Sequence, residues 1–264
     1  MDLRDLEPAR LDGRLTPVEG LLPACGRRLR FAALIALLGG MLLAWTAAAP
    51  VLSPLLSRRA GSRLGRAMIS RIYRTFWRVA DAAGMMHVDA SALDVLRDEP
   101  GGLIVAANHP SMFDAMVVVG RLPRGVCIMK AELLRNLFLG AGSRMARYIR
   151  NDSGRALVRD AVASLQEGGQ LVLFPEGTRT VRPPINDFRP GITLIAHLAD
   201  VPIQTVIIET RSPYLRKGWP LLRPPPGPVV VRVRLGERFA PDRDHRALLR
   251  RLEAYFAREL DPFQ

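Results

Sequence analysis

The chain has 264 residues, with 38 lysines and arginines against 25 aspartates and glutamates, a formal net charge of +13. That length holds one α/β domain of ordinary size plus an appendage and makes two separate domains a stretch, while the charge suits an anionic partner such as nucleic acid, a phospholipid surface or a phosphorylated substrate. Two cysteines, Cys25 and Cys127, exclude a disulfide framework, and the histidines at 87, 109, 197 and 245 lack zinc-ligand spacing.

Residues 1–30 mix charges, prolines and glycines without sustained periodicity and read as a flexible or loosely helical arm. Residues 31–57 then run 27 positions without a charge, long enough for a membrane-embedded helix. Ala47-Ala48-Ala49 looks like a signal cleavage site, but the preceding region is about thirty residues long and carries several acids, and Pro50 stands where cleavage would fall, so the segment is expected to be retained. Arginines flank it on both sides, at 27, 28 and 30 and at 58, 59, 63 and 66, so the positive-inside rule gives conflicting orientations. Gly39-Gly40, Pro50 and Pro54 favour a re-entrant hairpin over a single span. Residues 62–81 follow as a basic amphipathic helix. Arginines 63, 66, 71, 74 and 78 share one arc opposite Met68, Ile69, Ile72, Phe76 and Val79, a pattern that suits the headgroup plane; a surface helix covering the core is the alternative. Nucleic-acid binding would account for the charge but not for the apolar segment, so the expected partner is an anionic phospholipid membrane and no nucleic acid.

Residues 83–264 alternate strand-like and helical stretches, which predicts an α/β domain with a central mixed sheet flanked by helices behind the N-terminal membrane-embedded helical segment. Strands are expected at 103–107, 126–129, 148–149, 171–174, 203–208 and 229–235, and helices at 131–139, from a Ser153 cap to 166, at 192–198 and at 245–260. The proline-rich stretch 211–228 cannot be a central strand and reads either as a surface connection or as a second interfacial or acceptor-contacting loop.

Two strings end predicted strands, where open α/β sheets place ligands: Asn108-His109-Pro110-Ser111-Met112-Phe113-Asp114 and Phe174-Pro175-Glu176-Gly177-Thr178-Arg179-Thr180. A histidine accepts a proton near neutral pH, and an aspartate can fix its tautomer and stabilise the imidazolium. Residues five apart lie about 140° around a continuous helix, so His109 and Asp114 meet only if the histidine precedes the helix; Pro110 at its first position would arrange that. Ser111 lacks a G-x-S-x-G elbow and is not expected to be a nucleophile. Arg179 offers a planar fork matched to phosphate, with a bridge to Glu176 as the structural alternative.

Together the two strings resemble the glycerolipid acyltransferase family typified by lysophosphatidic-acid acyltransferase, over residues 103–208. The resemblance implies His109 as base, Asp114 as its orienting partner, and an acceptor site at Glu176, Gly177, Thr178 and Arg179. It also implies acyl-coenzyme A or acyl carrier protein as co-substrate with no cofactor or metal, a lyso-lipid acceptor, and an inner-membrane location with the catalytic domain facing the cytoplasm. Two family blocks depart from pattern: Arg147 occupies the usual glycine position and Asn151 the usual arginine position, with Arg150 as substitute, and Val201-Pro202 lacks a second proline.

Overall fold

The computed structural model describes residues 17–152 and 154–260, with side chains from Gly26 onward. The predicted Ser153 cap lies outside these residues, as do residues 1–16 of the arm.

The chain opens with α1 (Pro17–Leu52), an uninterrupted 36-residue helix. This corrects the turn expected at Gly39-Gly40: the helix runs on through both glycines, Pro50 falls in its last turn, and the break comes at Pro54. A helical glycine costs about 1 kcal/mol, whereas burying one large apolar side chain gains about 1.5–3 kcal/mol. Here Phe31, Leu34, Leu38, Leu42, Trp45 and Ala49 are all buried along one stripe. After a short 3₁₀ turn, Ser57 caps α2 (Arg58–Ala82) by accepting from the Ala60 N–H. Helix α2 buries Ile69, Ile72, Tyr73, Phe76 and Ala80, so it covers the core as the alternative reading held, while Arg63, Arg71 and Arg78 face outward.

Seven strands follow: β1 (Met86–Asp89), β2 (Leu103–Ala107), β3 (Gly125–Met129), β4 (Ile149–Arg150), β5 (Gln170–Leu173), β6 (Ile203–Glu209) and β7 (Val229–Phe239). They form one sheet in the order β1-β7-β6-β2-β5-β3-β4, parallel throughout except for the β6/β7 pair. The central strands are buried on both faces, as their unbroken apolar runs require. Leu103, Val105 and Ala107 of β2 point to the cluster shared with α1, α2 and α3 (Asp114–Arg121), and Ile104 and Ala106 to the cluster under α5 (Arg155–Gln166), α6 (Gly191–Ala199) and α7 (His245–Leu260).

The helix expected over 131–139 is instead a 3₁₀ turn at Ala131–Arg135 and a separate α4 (Gly140–Met145). Asn136 divides them, because its Oδ1 accepts from the N–H groups of Phe138 and Leu139 in place of helical carbonyls. Helix α4 ends in a Schellman turn, with Arg147 N–H on Arg144 O and Tyr148 N–H on Ser143 O, both at 3.0 Å. Arg147 has φ +58° there, the left-handed conformation that glycine adopts freely.

Candidate active site

Strands β2 and β5 are neighbours, so the two strings emerge side by side from the C-terminal rim of the sheet. Asn108 extends the β2/β6 ladder by one side chain: its Nδ2 donates to Ile208 O at 2.9 Å and its Oδ1 accepts from Ile208 N–H at 2.7 Å. The next residue is thereby fixed in space.

His109 Nδ1 lies 2.8 Å from Asp114 Oδ2, with the side chains 18% and 3% exposed. Helix α3 starts at Asp114, not at Pro110. Asp114 Oδ2 also accepts from Ser111 N–H at 2.7 Å, and Ser111 Oγ accepts from Phe113 N–H, so side-chain turns displace the first helical turn. The expected meeting of His109 with Asp114 still follows. Burial raises the Asp114 carboxyl, and the hydrogen bonds from His109 and Ser111 oppose that rise. With Nδ1 held by the carboxylate, Nε2 is the ring nitrogen left to exchange a proton. The Phe174 ring stacks on the imidazole, centroids 4.0 Å apart and planes 21° off parallel.

Glu176 is buried, and both its oxygens are engaged within the protein. Oε1 accepts from His109 N–H at 3.1 Å and from Thr180 Oγ at 2.8 Å, and Oε2 accepts from Asn186 N–H at 2.9 Å. Burial raises its carboxyl against these three bonds. Thr180 N–H also donates to His109 O at 2.8 Å, so the two strings are stitched together at His109. Gly177 takes φ +70°, where a Cβ would lie 3.2 Å from Arg189 Cγ, and Thr178 is exposed beside it.

Arg179 makes no bridge to Glu176. Its Nη1 donates to Leu215 O at 2.9 Å and to Arg216 O at 3.1 Å, which leaves Nε and Nη2 of the fork, and its charge is near enough to act on Asp114. Arg150, on β4, stands apart: β5 and β3 intervene between β4 and β2, about 14 Å along the same rim at ordinary strand spacing. It pairs with Asp152 through two bonds of 3.0 and 2.7 Å.

The stretch 211–228 is more than a surface connection. Tyr214 and Leu215 are buried, Met112 N–H of the histidine turn donates to Leu215 O at 3.1 Å, and the Tyr214 ring packs edge-on against Phe113. Sequence reasoning gave no role to Asn108, Phe174, Asn186 or Leu215. Asn108 and Phe174 border the two strings, which was their only signal; Asn186 and Leu215 carry none.

A family model described as acyltransferase matches residues 87–209, which contain both strings. Lysophosphatidylcholine acyltransferase 1 of Rattus norvegicus is 31% identical over 153 residues, 54% of this chain and 26% of the relative. The 1-acyl-sn-glycerol-3-phosphate acyltransferase of Limnanthes alba is 31% identical over 130 residues, 47% of this chain and 46% of the relative. The matched segments thus span less than half of these curated relatives. The crystal structure of the 1-acyl-sn-glycerophosphate acyltransferase PlsC from Thermotoga maritima superposes with a TM-score of 0.66 over 89% of this chain and 94% of that one, at 21% identity, a likeness of fold. The segment similar to the acyltransferase family thus holds the paired His109 and Asp114 and the braced Glu176 turn.

Proposed function

We propose that the chain is a membrane-associated O-acyltransferase that moves a fatty acyl group from a thioester, acyl-coenzyme A or acyl carrier protein, to a lysophospholipid hydroxyl, with lysophosphatidic acid as first acceptor. The observation that carries this reading is the His109–Asp114 pair at the sheet rim, locked to the Glu176 turn. The acceptor oxygen attacks the thioester carbonyl carbon while His109 Nε2 takes its proton, and Asp114 stabilises the imidazolium. The C–S bond then breaks and the imidazolium returns the proton to the departing sulfur. Gly177, Thr178 and Arg179 stand where an acceptor phosphate would lie beside the pair, and Arg150 marks the outer rim. Glu176 acts as their brace.

Attachment belongs to the same proposal. The segment Gly26–Leu55 is long and apolar enough to cross a membrane by length and composition. Its stripe from Phe31 to Ala49 is nevertheless spent on the domain, so α1 lies in the membrane interface with Leu43 and Val51 outward, holding the rim against the cytoplasmic face. A different lipid acceptor is favoured by one feature, the Arg147 and Asn151 departures.

Purified protein offered a panel of lyso-lipids with both donor classes, read by mass spectrometry, identifies the product. His109→Ala is expected to lower turnover by about 10² to 10⁴ while the protein stays folded. Near-normal turnover of a folded His109→Ala protein would overturn the mechanism.

A further inference from the structure

The far end of the 210–228 connection returns to α1. Trp219, Arg223 and prolines 224–226 face Arg27 and Arg28 across a cavity of about 310 Å³, the small end of the range for ligand pockets. Its walls are fixed by direct bonds: Arg27 Nη1 donates to Pro226 O at 3.0 Å, and Trp219 Nε1 donates to Arg223 O at 3.0 Å. The Arg223 guanidinium lies 4.9 Å over the centroid of the Trp219 ring.

Three guanidinium groups therefore border one concavity that, among the described residues, has no acidic wall. Among the described residues none of the three takes part in an ion pair, and Arg27 Nε is buried without an acceptor. Like charges gathered without a counter-charge repel, and an entering anion relieves both the repulsion and the orphaned donor. Arginine forks match phosphate oxygens in particular.

The surroundings say which phosphate. Arg27 and Arg28 stand one helical turn before Phe31, where the uncharged stretch of α1 begins, and the candidate span starts at Gly26. Between Trp219 and Arg223 the chain presents Leu221 and Leu222, 46% and 72% exposed. Apolar tip, indole and arginines follow the order in which a bilayer places hydrocarbon, aromatic belt and headgroup phosphate. We propose that this cavity binds the phosphate of an anionic bilayer phospholipid, at a site separate from His109 and Asp114, and thereby sets the depth at which the catalytic turn meets the membrane. Trp219 reaches that turn through two ring contacts, to Tyr214 at 6.0 Å and from Tyr214 to Phe113 at 5.9 Å. The inference rests on the membrane-acyltransferase reading for its biological meaning but not for its test.

The test is flotation of the full-length protein with phosphatidylcholine vesicles containing phosphatidylglycerol, with folding monitored by thermal denaturation. Arg28→Lys with Arg223→Lys keeps every charge, so general attraction to the surface is unchanged while the planar forks and the stacking on Trp219 are lost. Vesicle affinity is expected to fall about ten-fold, the weight of one charge-assisted hydrogen bond. The control pair Arg63→Lys with Arg71→Lys on the outer face of α2 should bind as the parent does. Equal affinities for all three proteins would overturn the site. Inorganic phosphate is the second arm: thermal stabilisation by phosphate, lost in the Arg28/Arg223 pair, without any loss of vesicle affinity would assign the cavity to a soluble anion and overturn the lipid assignment. Binding is read without turnover, so an enzyme inactive on every acceptor could still pass.

Discussion

Glu176→Gln separates bracing from acceptor binding, because the amide keeps one oxygen and turns an NH₂ towards groups that themselves donate. With one of its three incoming bonds unsatisfied, the variant should lose about 1–3 kcal/mol in urea denaturation, and kcat should drop with acceptor KM unchanged. A raised KM at unchanged stability would instead mark direct contact with the acceptor. The pH dependence has a definite sign. Burial raises Glu176 and Asp114, so the folded state holds these protons more tightly and stability falls as pH rises from the ordinary carboxyl range to the raised values. Glu176→Gln should flatten part of that slope. Arg147 offers the opposite kind of change: it is exposed and left-handed, so Arg147→Gly removes a Cβ conflict and should stabilise by about 0.5–1 kcal/mol despite the freer unfolded chain. An unchanged denaturation midpoint would refute the strain. That residue was recognisable in the sequence only as a departure from a pattern; its φ angle supplies the physical reason glycine belongs there.

At the scale of elements, α1 docks on α4 through one aperture. A Cβ at Gly142 would lie 2.6 Å from Cδ1 and Nε1 of Trp45, so Gly142→Ala must displace the indole. Overpacking of this kind costs about 1–3 kcal/mol, and hydrogen exchange along α1 should accelerate while β2 and β5 stay protected. Unchanged protection of α1 would show that the aperture is unnecessary. The central strands β2, β5 and β6 were readable in advance because both of their faces are buried and their sequences say so without a break. Strand β1 was missed: four residues carry too little pattern, and its partner β7 lies more than a hundred residues away. The role of α2 was half readable, since one helix wheel describes a face that meets lipid and a face that meets a core equally well. Only contacts such as Ser70 Oγ to Gly120 O at 2.9 Å decide between them.

For the whole molecule, the combination of an outward apolar side on α1 with scattered arginines sets how the protein should leave a membrane. At about 1 M salt the screening length is about 3 Å, which removes exposed lipid-phosphate attraction but leaves apolar burial intact. The full chain should therefore stay with membrane pellets in high salt and dissolve in detergent. Release by salt alone would refute an embedded α1. Truncation before α2 is expected to give an insoluble protein, since it uncovers the apolar surfaces that Phe31, Leu38 and Trp45 now cover.

The reversal of β7 has a consequence for how such a protein could change its substrate. Because β6 runs with β2 and β7 runs against β6, the chain leaves the sheet at the rim that carries His109 and must re-enter from that rim. Residues 210–228 are thus obliged by topology to begin and end at the rim that carries His109. Lengthening a flexible connection is cheap, about 0.6 kcal/mol per doubling. The segment is a replaceable cassette: exchanging it between relatives would alter what packs on the Met112–Phe113 turn while every strand, and the His109–Asp114 pair, kept its place.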